Sequence, residues 1–382
     1  MAMLGLRYDL RAPAWGSATH AEMYAACLEQ AAWGDERGFD FLVLSEHHGA
    51  EDGYVPAPVT MAAAVAGRTK RIGINIAAIL VPLHDPVRLA EELAVLDLAS
   101  GGRVSFVTGV GYRYEEFEMA GVDRKQRGKL LEEYVDVMRK AWTGDPFEWR
   151  GRTVQVTPRP ATQPHPMMMI GGSTEIAARR AARLRLPMFP AIGDPELAEI
   201  YNDECAKVGF DHGFISLPAG PGFVHVAEDP EAAWAKIGPH ALHEAQVYES
   251  WQTPGQRSAV DVHAKDVDEV RKSGVYRVVT PDECVALADE LGDFGTLLLH
   301  PLMGGIPPDV AWESLELFEH KVLPRLRPAT GCTAPRWVPH RCPTSCAHRI
   351  PTACRRRRPA TTRSSPPTRT RSSRASPDIS IP

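Results

Sequence analysis

The chain has 382 residues, of which 44% are hydrophobic and 24% are charged, and these proportions exclude a collagen-like, wholly disordered or disulfide-stapled protein. No run approaches the roughly 18 consecutive apolar residues of a membrane span, and Arg7 and Asp9 come before any long apolar run, so we expect a cytoplasmic protein without a secretory signal. The net charge of −5 combines −15 in residues 1–328 with +10 in residues 329–382, and the acidic larger region is not expected to bind nucleic acid or membranes.

Strand-like and helix-like segments alternate along residues 1–328. Compact apolar runs such as 39–44 are typical of strands buried in a parallel sheet. Segments such as 86–100, with Asp85 before it and Gly101 after it, are typical of capped helices. The predicted strands are 4–8, 39–44, 72–81, 103–108, 167–170, 187–192, then either 214–217 or 222–226, and 296–300. The predicted helices are 19–37, 57–68, 86–100, 124–142, 173–185, 194–208, 229–250, 281–291 and 308–324.

This count of eight strands with interleaved helices favours the α/β class, and within it a (β/α)8 barrel rather than an open doubly wound sheet. Two segments fall outside the alternation. A small hairpin is predicted at 146–157, and the polar segment 250–275 lacks periodicity and is predicted to be a loop. We interpret residues 1–328 as one barrel domain.

Residues 329–382 have a different composition and are predicted to be a disordered tail. They contain eleven Arg, no Lys and one acid, Asp378, with many Pro, Ser and Thr and few large apolar residues. The basic run at 355–358 has two interpretations. In the first, it is a patch that binds nucleic acid or an acidic partner. In the second, the reading frame of a GC-rich gene slips near Ala329 and the tail has no selected function; the absence of lysine favours this second interpretation.

The reactive groups of a (β/α)8 barrel lie at the carboxyl ends of its strands, and the most distinctive end here is Ser45-Glu46-His47-His48. A neutral histidine at this place donates or accepts a proton near pH 7, which makes His47 and His48 candidate catalytic residues. A histidine that is held only by loop backbone would give the same pattern, so both interpretations stay open.

Three further strand ends carry small residues that let a ligand approach the backbone. Ala77 and Ala78 leave room for a flat ligand, and Gly109 and Gly111 allow close approach, although tight packing between strand and helix would select the same residues. Residues 171–174 are Gly-Gly-Ser-Thr at the start of a predicted helix, where free amide groups favour a phosphate. An ordinary capped helix is the alternative. Residues 1–328 contain no recognised metal motif, no Gly-x-Ser-x-Gly elbow and no phosphate loop ending in Gly-Lys-Ser/Thr.

The order of these motifs resembles that of the bacterial luciferase-like flavin-dependent oxidoreductases. Residues 44–123 carry, in sequence, Glu-His-His, Ala-Ala, Asp-Pro-Val-Arg, Ser-Gly-Gly-Arg and Gly-x-Gly, and Trp-Thr-Gly and Gly-Gly-Ser follow later in the chain. Each motif is weak alone, and their order makes the resemblance specific over residues 1–328.

The resemblance implies a (β/α)8 barrel with insertions that binds reduced FMN or a deazaflavin coenzyme at its mouth. It places His47 at the position of the family's catalytic histidine. It also implies a non-proline cis peptide between Ala77 and Ala78, under the flavin ring. The candidate cofactor-binding residues are Asn75, Ala77, Ala78, Gly109, Gly111, Gly171, Gly172, Ser173 and Thr174. Val110 stands where luciferase has an arginine that contacts the phosphate, so the deazaflavin coenzyme stays an alternative to FMN as the cofactor.

Three functions remain possible from the sequence. The first is a two-component monooxygenase that takes reduced FMN from a separate flavin reductase and uses oxygen on a small organic substrate. The second is a deazaflavin-dependent hydride-transfer enzyme on the same fold, and the third is a flavin-binding protein without turnover, which the intact Glu-His-His disfavours. The resemblance also implies a homodimer.

Overall fold

The computed structural model describes residues 2–253, 257–258, 260 and 262–327, and the predicted tail at 329–382 lies outside them. The strands are β1 (Met3–Tyr8), β2 (Phe41–Leu44), β3 (Gly73–Ile79), β4 (Val104–Thr108), β5 (Phe147–Trp149), β6 (Arg152–Val154), β7 (Met167–Gly171), β8 (Met188–Phe189), β9 (Phe223–Val226), β10 (Tyr276–Val279) and β11 (Thr296–Leu299). The helices are α1 (His20–Glu36), α2 (Pro58–Arg68), α3 (Pro86–Ser100), α4 (Tyr114–Ala120), α5 (Arg127–Ala141), α6 (Glu175–Arg183), α7 (Pro195–Val208), α8 (Pro230–Trp251), α9 (Val267–Ser273), α10 (Pro281–Leu291), α11 (Pro308–Leu317) and α12 (Leu323–Leu326).

Local sequence signals explain where many of these helices begin and end. The Asp85 side chain accepts hydrogen bonds from the amides of Val87 and Arg88, which caps α3, and Gly101 ends that helix in the left-handed conformation with φ of +67°. Thr19 forms a reciprocal capping box with Glu22 at the start of α1. These caps satisfy amide groups that a helix leaves without partners at its N-terminus.

Nine parallel strands form the main sheet in the order β10-β9-β11-β1-β2-β3-β4-β7-β8, and β5 and β6 form a separate antiparallel hairpin. The prediction of an α/β protein with a parallel sheet is confirmed, and so is the hairpin predicted at 146–157. Because the strands are parallel, the segments that follow β2, β3, β4 and β7 all lie at one end of the sheet. The candidate site residues of the four strand ends are thereby brought to the same side of the molecule.

The structure corrects the predicted elements at several places. The sheet has nine strands and not eight, because Tyr276–Val279 forms β10, in which the exposed Arg277 interrupts the apolar run. Of the two alternative strands, 222–226 is correct, whereas Ile215 makes a single bridge to Met188. The loop predicted at 250–275 contains helix α9, and the last predicted helix is interrupted by a π-helical turn at Phe318–Val322.

The core is one apolar cluster that joins the sheet to its covering helices, and every residue of β4 is buried. Within the described part of the chain, no helix has both the length and the apolar character that crossing a bilayer requires.

Candidate active site

His47 lies just after β2 and is almost fully buried, with 6% of its surface exposed. Its Nδ1 donates to Oε1 of Glu116 in α4 at 2.9 Å, and the same carboxylate oxygen accepts from the backbone amide of His48 at 3.1 Å. Burial lowers the pKa of His47, and the bond to Glu116 offsets only part of this effect. The imidazole is therefore neutral near pH 7, and with Nδ1–H held by the carboxylate, Nε2 carries the free lone pair.

His48 and Glu46 belong to a second cluster. Oε1 of Glu46 accepts from Nε2 of His48 and from Nε2 of His84, both at 2.7 Å, and Oε2 accepts from the Leu80 amide at 2.7 Å. Burial opposes ionisation of Glu46, but these bonds outweigh it and lower its pKa to about 2, while Glu46 raises the pKa of His84. His48 is thus tied to a carboxylate that connects the ends of β2 and β3, and its catalytic role stays a prediction.

Four aromatic side chains surround the His47 ring. The ring centroids lie 4.7 Å away for Trp251, 4.8 Å for Tyr54, 5.6 Å for Tyr112 and 6.0 Å for Tyr248. The Tyr112 hydroxyl is also 3.5 Å from His47 Nε2, on the side where the lone pair lies. Tyr54 and Tyr112 come from two loops, whereas Tyr248 and Trp251 come from the last turn of α8, and no sequence motif joins the four residues.

A buried arginine supports the aromatic wall from one side. Arg11 has no exposed surface, its Nη1 donates to Asp52 at 2.8 Å, and its Nε lies 3.3 Å from Asp9. Its guanidinium carbon lies 4.7 Å from the ring centre of Tyr54 and 5.0 Å from that of Tyr248, which are cation–π distances. An isolated arginine after the first strand is not a sequence motif, so it gave no signal.

Deeper among the same elements, His300 stands between two carboxyl groups. Its Nε2 lies 3.9 Å from Asp9 and its Nδ1 lies 3.9 Å from Glu244, and all three side chains are buried. Burial raises the pKa of both carboxyls, whereas burial and the charges of Arg7 and Arg11 lower that of His300. The two nitrogens face different carboxyls and two guanidiniums are near, so this arrangement does not suit a metal cation.

The ends of β3 and β4 meet beside this region. The Ala77–Ala78 peptide bond is cis, as the resemblance implied, and Ser45 Oγ donates to the Ala77 carbonyl at 2.7 Å. A side chain at Gly109 would have its Cβ 3.1 Å from that of Ala78, so glycine allows the two strand ends to approach. Asn75 accepts from Ser105 Oγ at 3.3 Å, and its predicted cofactor contact is not tested by this bond.

The turn after β7 has the shape of an anion site. A Cβ at Gly171 would lie 2.9 Å from Val107, and Gly172 has φ of +118°, so both positions require glycine. Thr174, and not Ser173, caps α6, because the Thr174 side chain accepts from the Ala177 amide. The Ser173 hydroxyl is buried and has no hydrogen-bond partner among the described residues, which fits a group that accepts hydrogen bonds at the start of α6.

Three arginines, Arg124, Arg127 and Arg180, lie near one another beside α6. Arg124 and Arg180 both act on Arg127, whose pKa is lowered by burial and by these two neighbouring cations. Arg180 lies on α6 and its guanidinium reaches Gly128 in α5. Arg180 is paired with Glu132 at 2.8 Å and Arg124 donates to the Tyr112 carbonyl at 3.0 Å.

Two proteins that are similar to this chain in sequence are monooxygenases. Limonene 1,2-monooxygenase from Rhodococcus erythropolis is 29% identical over 309 residues, which cover 76% of this chain and 78% of the relative. The oxygenase component of the flavin-dependent trigonelline monooxygenase of Acinetobacter baylyi is 26% identical over 203 residues, covering 50% of this chain and 56% of that protein.

Among solved structures, the monooxygenase RslO1 from Streptomyces bottropensis matches with a TM-score of 0.68 and 25% identity, covering 85% of this chain and all of that one. The oxygenating constituent of 3,6-diketocamphane monooxygenase from Pseudomonas putida, solved with FMN, has a TM-score of 0.65, 20% identity and coverages of 85% and 99%. An F420-dependent secondary alcohol dehydrogenase has a TM-score of 0.57 and 17% identity, covering 81% and 98%. The last two similarities show the fold.

The family model described as luciferase-like monooxygenase matches residues 10–296, which include all the candidate site residues identified from the sequence. The expected luciferase-like barrel architecture and the expected enzyme class are confirmed by this match together with the structural neighbours. The chain belongs to the luciferase-like monooxygenase family.

Proposed function

We propose that this protein is the oxygenase component of a two-component monooxygenase, which takes reduced FMN from a separate flavin reductase and acts on a small organic substrate. The observation that carries the proposal is the neutral His47, buried and oriented by Glu116, beside a strand end suited to a flat ring. Two similar proteins support the proposal: one is the oxygenase component of a flavin-dependent monooxygenase, and the other is a protein of the same fold that was solved with FMN.

In this proposal, Ala77, Ala78 and Gly109 would hold the flavin ring, and residues 171–174 would hold the FMN phosphate. The Ser173 hydroxyl and the free amides at the start of α6 would donate to the phosphate, and Arg127 would supply positive charge. Reduced flavin supplies the two electrons with which one atom of O2 becomes water while the other enters the substrate.

The residues of this chain hold and move protons for that chemistry. His47 holds or accepts a proton at Nε2, and the Glu116 carboxylate keeps its Nδ1–H in place through the reaction. Tyr54, Tyr112 and Tyr248 of the aromatic wall exclude water from the region around His47.

The test is a titration of the full chain with FMN, riboflavin and the deazaflavin coenzyme, each oxidised and reduced, followed by absorbance and fluorescence. We expect reduced FMN to bind most tightly, and Ser173→Ala to weaken FMN binding about tenfold without changing riboflavin binding, because riboflavin has no phosphate. Flavin binding without any oxygen consumption in the presence of candidate substrates would refute turnover.

A deazaflavin-dependent hydride transfer is the second candidate. Val110, which removes the arginine expected beside an FMN phosphate, is the observation that favours it. A preference for the deazaflavin in the same titration, with hydride transfer and no oxygen consumption, would replace the monooxygenase proposal with this one.

A further inference from the structure

Trp251 is the last residue of α8, and its indole ring lies over the candidate catalytic histidine. The indole centroid is 4.7 Å from that of His47 at an angle of 45°, 5.6 Å from that of Tyr248 and 6.2 Å from that of Tyr54. The side chain is only half-buried. A large ring at the end of a helix, partly open to solvent, therefore occupies the space next to the proposed proton-transfer atom.

Two guanidinium groups also face this indole. The guanidinium carbon of Arg113 lies 4.1 Å from the indole centre and that of Arg11 lies 5.1 Å from it. Both arginines are buried, Arg11 at 0% and Arg113 at 6% exposure, so their attraction to an aromatic face is weakly screened. The indole is thus held as the π partner of two cations.

Neither arginine depends on Trp251 for its position. Arg113 donates to the His48 carbonyl at 2.7 Å and lies 3.5 Å from Glu116, while Arg11 is held by Asp52 at 2.8 Å. The pair of guanidiniums would therefore remain in place if the indole moved away. The two guanidiniums therefore form a binding site for the face of an aromatic ring, and in this structure the Trp251 indole occupies that site.

We infer that the Trp251 indole occupies the position that an aromatic ring of the substrate takes when the substrate binds. The substrate is therefore a compact, neutral and electron-rich aromatic molecule. The inference rests on the proposed function, since it makes this space the substrate subsite of the monooxygenase. A saturated ring has no π face for the two guanidiniums, and a cationic ring would be repelled by them. When the ring enters, the indole moves out towards solvent and the ring takes its contacts with His47.

The test uses the full chain carrying Trp251→Ala, without flavin, and three probes of similar size. The probes are 2-naphthol, its saturated analogue decahydro-2-naphthol and the cation N-methylquinolinium, and binding is measured by calorimetry and by the shift in Tm. We expect 2-naphthol to bind the variant at least tenfold more tightly than either other probe and to raise its Tm. Wild type, in which the indole competes, should bind 2-naphthol at least fivefold more weakly than the variant.

Trp15→Ala is the matched control, because Trp15 also packs on histidine rings, at 4.8 Å from His240, but is 54% exposed and lies outside the aromatic wall. It should bind all three probes no better than wild type. Equal affinity of Trp251→Ala for the three probes, or no binding by a variant with native circular dichroism, would overturn the inference. If Trp251→Ala does not fold, Trp251→Leu is measured with the same criteria.

The result is separable from that of the proposed function. Probe binding is measured without flavin, whereas the proposed function fails in the titration with reduced FMN. Selective 2-naphthol binding by a protein that prefers a deazaflavin would keep the aromatic subsite and replace only the cofactor assignment.

Discussion

Glu46 offers the sharpest test of how the strand ends are held together. Its buried carboxylate receives three hydrogen bonds at 2.7 Å, from the imidazoles of His48 and His84 and from the amide of Leu80. Glu46→Gln keeps the size of the side chain but removes the charge, and it places an amide N–H group opposite at least one donor. We therefore expect the variant to lose stability while keeping its fold.

The size of the effect follows from the pKa. An ordinary glutamate pKa of 4.5 falls to about 2 in the folded protein, and at about 1.4 kcal/mol for each tenfold change this corresponds to about 3 kcal/mol. Two charge-assisted bonds of about 1.5 kcal/mol each give the same value. For a domain of this size, the free energy lost corresponds to a fall in Tm of about 4 °C.

The pKa of Glu46 also determines how its contribution to the free energy of unfolding changes with pH. Because folding lowers the pKa of Glu46, its contribution is fully present above about pH 4.5 and is lost as the pH falls towards about 2. Urea unfolding of wild type and Glu46→Gln should therefore differ by about 3 kcal/mol at pH 7. At about pH 3 the difference should shrink by about 2 kcal/mol.

Glu313→Gln is the control, since Glu313 is an exposed carboxylate that pairs with Lys236 at 2.7 Å on the surface. It should change the free energy of unfolding by less than about 1 kcal/mol at either pH. A loss for Glu46→Gln no larger than that of this control, or a loss that stays constant between pH 7 and about pH 3, would refute the reasoning.

Three further predictions concern the site. His47→Ala should lower turnover by about 10²–10⁴-fold with little change in flavin Kd, measured by oxygen consumption and flavin titration, and equal losses in both would count against proton transfer. Glu116→Gln should lower kcat about tenfold or more, because it weakens the hydrogen bond that orients His47 through Nδ1, while Tm should change by no more than a few degrees. An unchanged kcat would contradict the positioning role of Glu116. Gly171→Ala should lower Tm and weaken flavin binding, since its Cβ would lie 2.9 Å from a Val107 methyl group. Gly67→Ala is the control and should raise Tm slightly, because a Cβ at this position in α2 meets open space. The opposite order of Tm in thermal melts would show that the turn after β7 tolerates a side chain.

The local sequence was sufficient to predict the α/β fold class and the strand ends that carry the candidate site residues. Short apolar runs predicted the buried parallel strands, and Asp85 and Gly101 predicted the bounds of α3, because capping and strand burial depend on neighbours along the chain. The ordered motifs, from Glu46-His47-His48 to the glycines before α6, led to the family that the comparisons confirm. Strand β10 was missed because half of its residues are not buried and its partner β9 lies about 50 residues earlier.

Only the tertiary structure decided how the candidate site is completed. Glu116 orients His47 from 69 positions away, and Tyr54 bonds to Tyr248 across 194 positions. Arg11 can be buried without a large cost only because Asp9 and Asp52 come within reach of its guanidinium, and a sequence does not record which distant charges will meet. Residue types and caps are set locally, whereas the neutral histidine, its carboxylate and its aromatic wall exist only once the parallel strands place their carboxyl ends side by side.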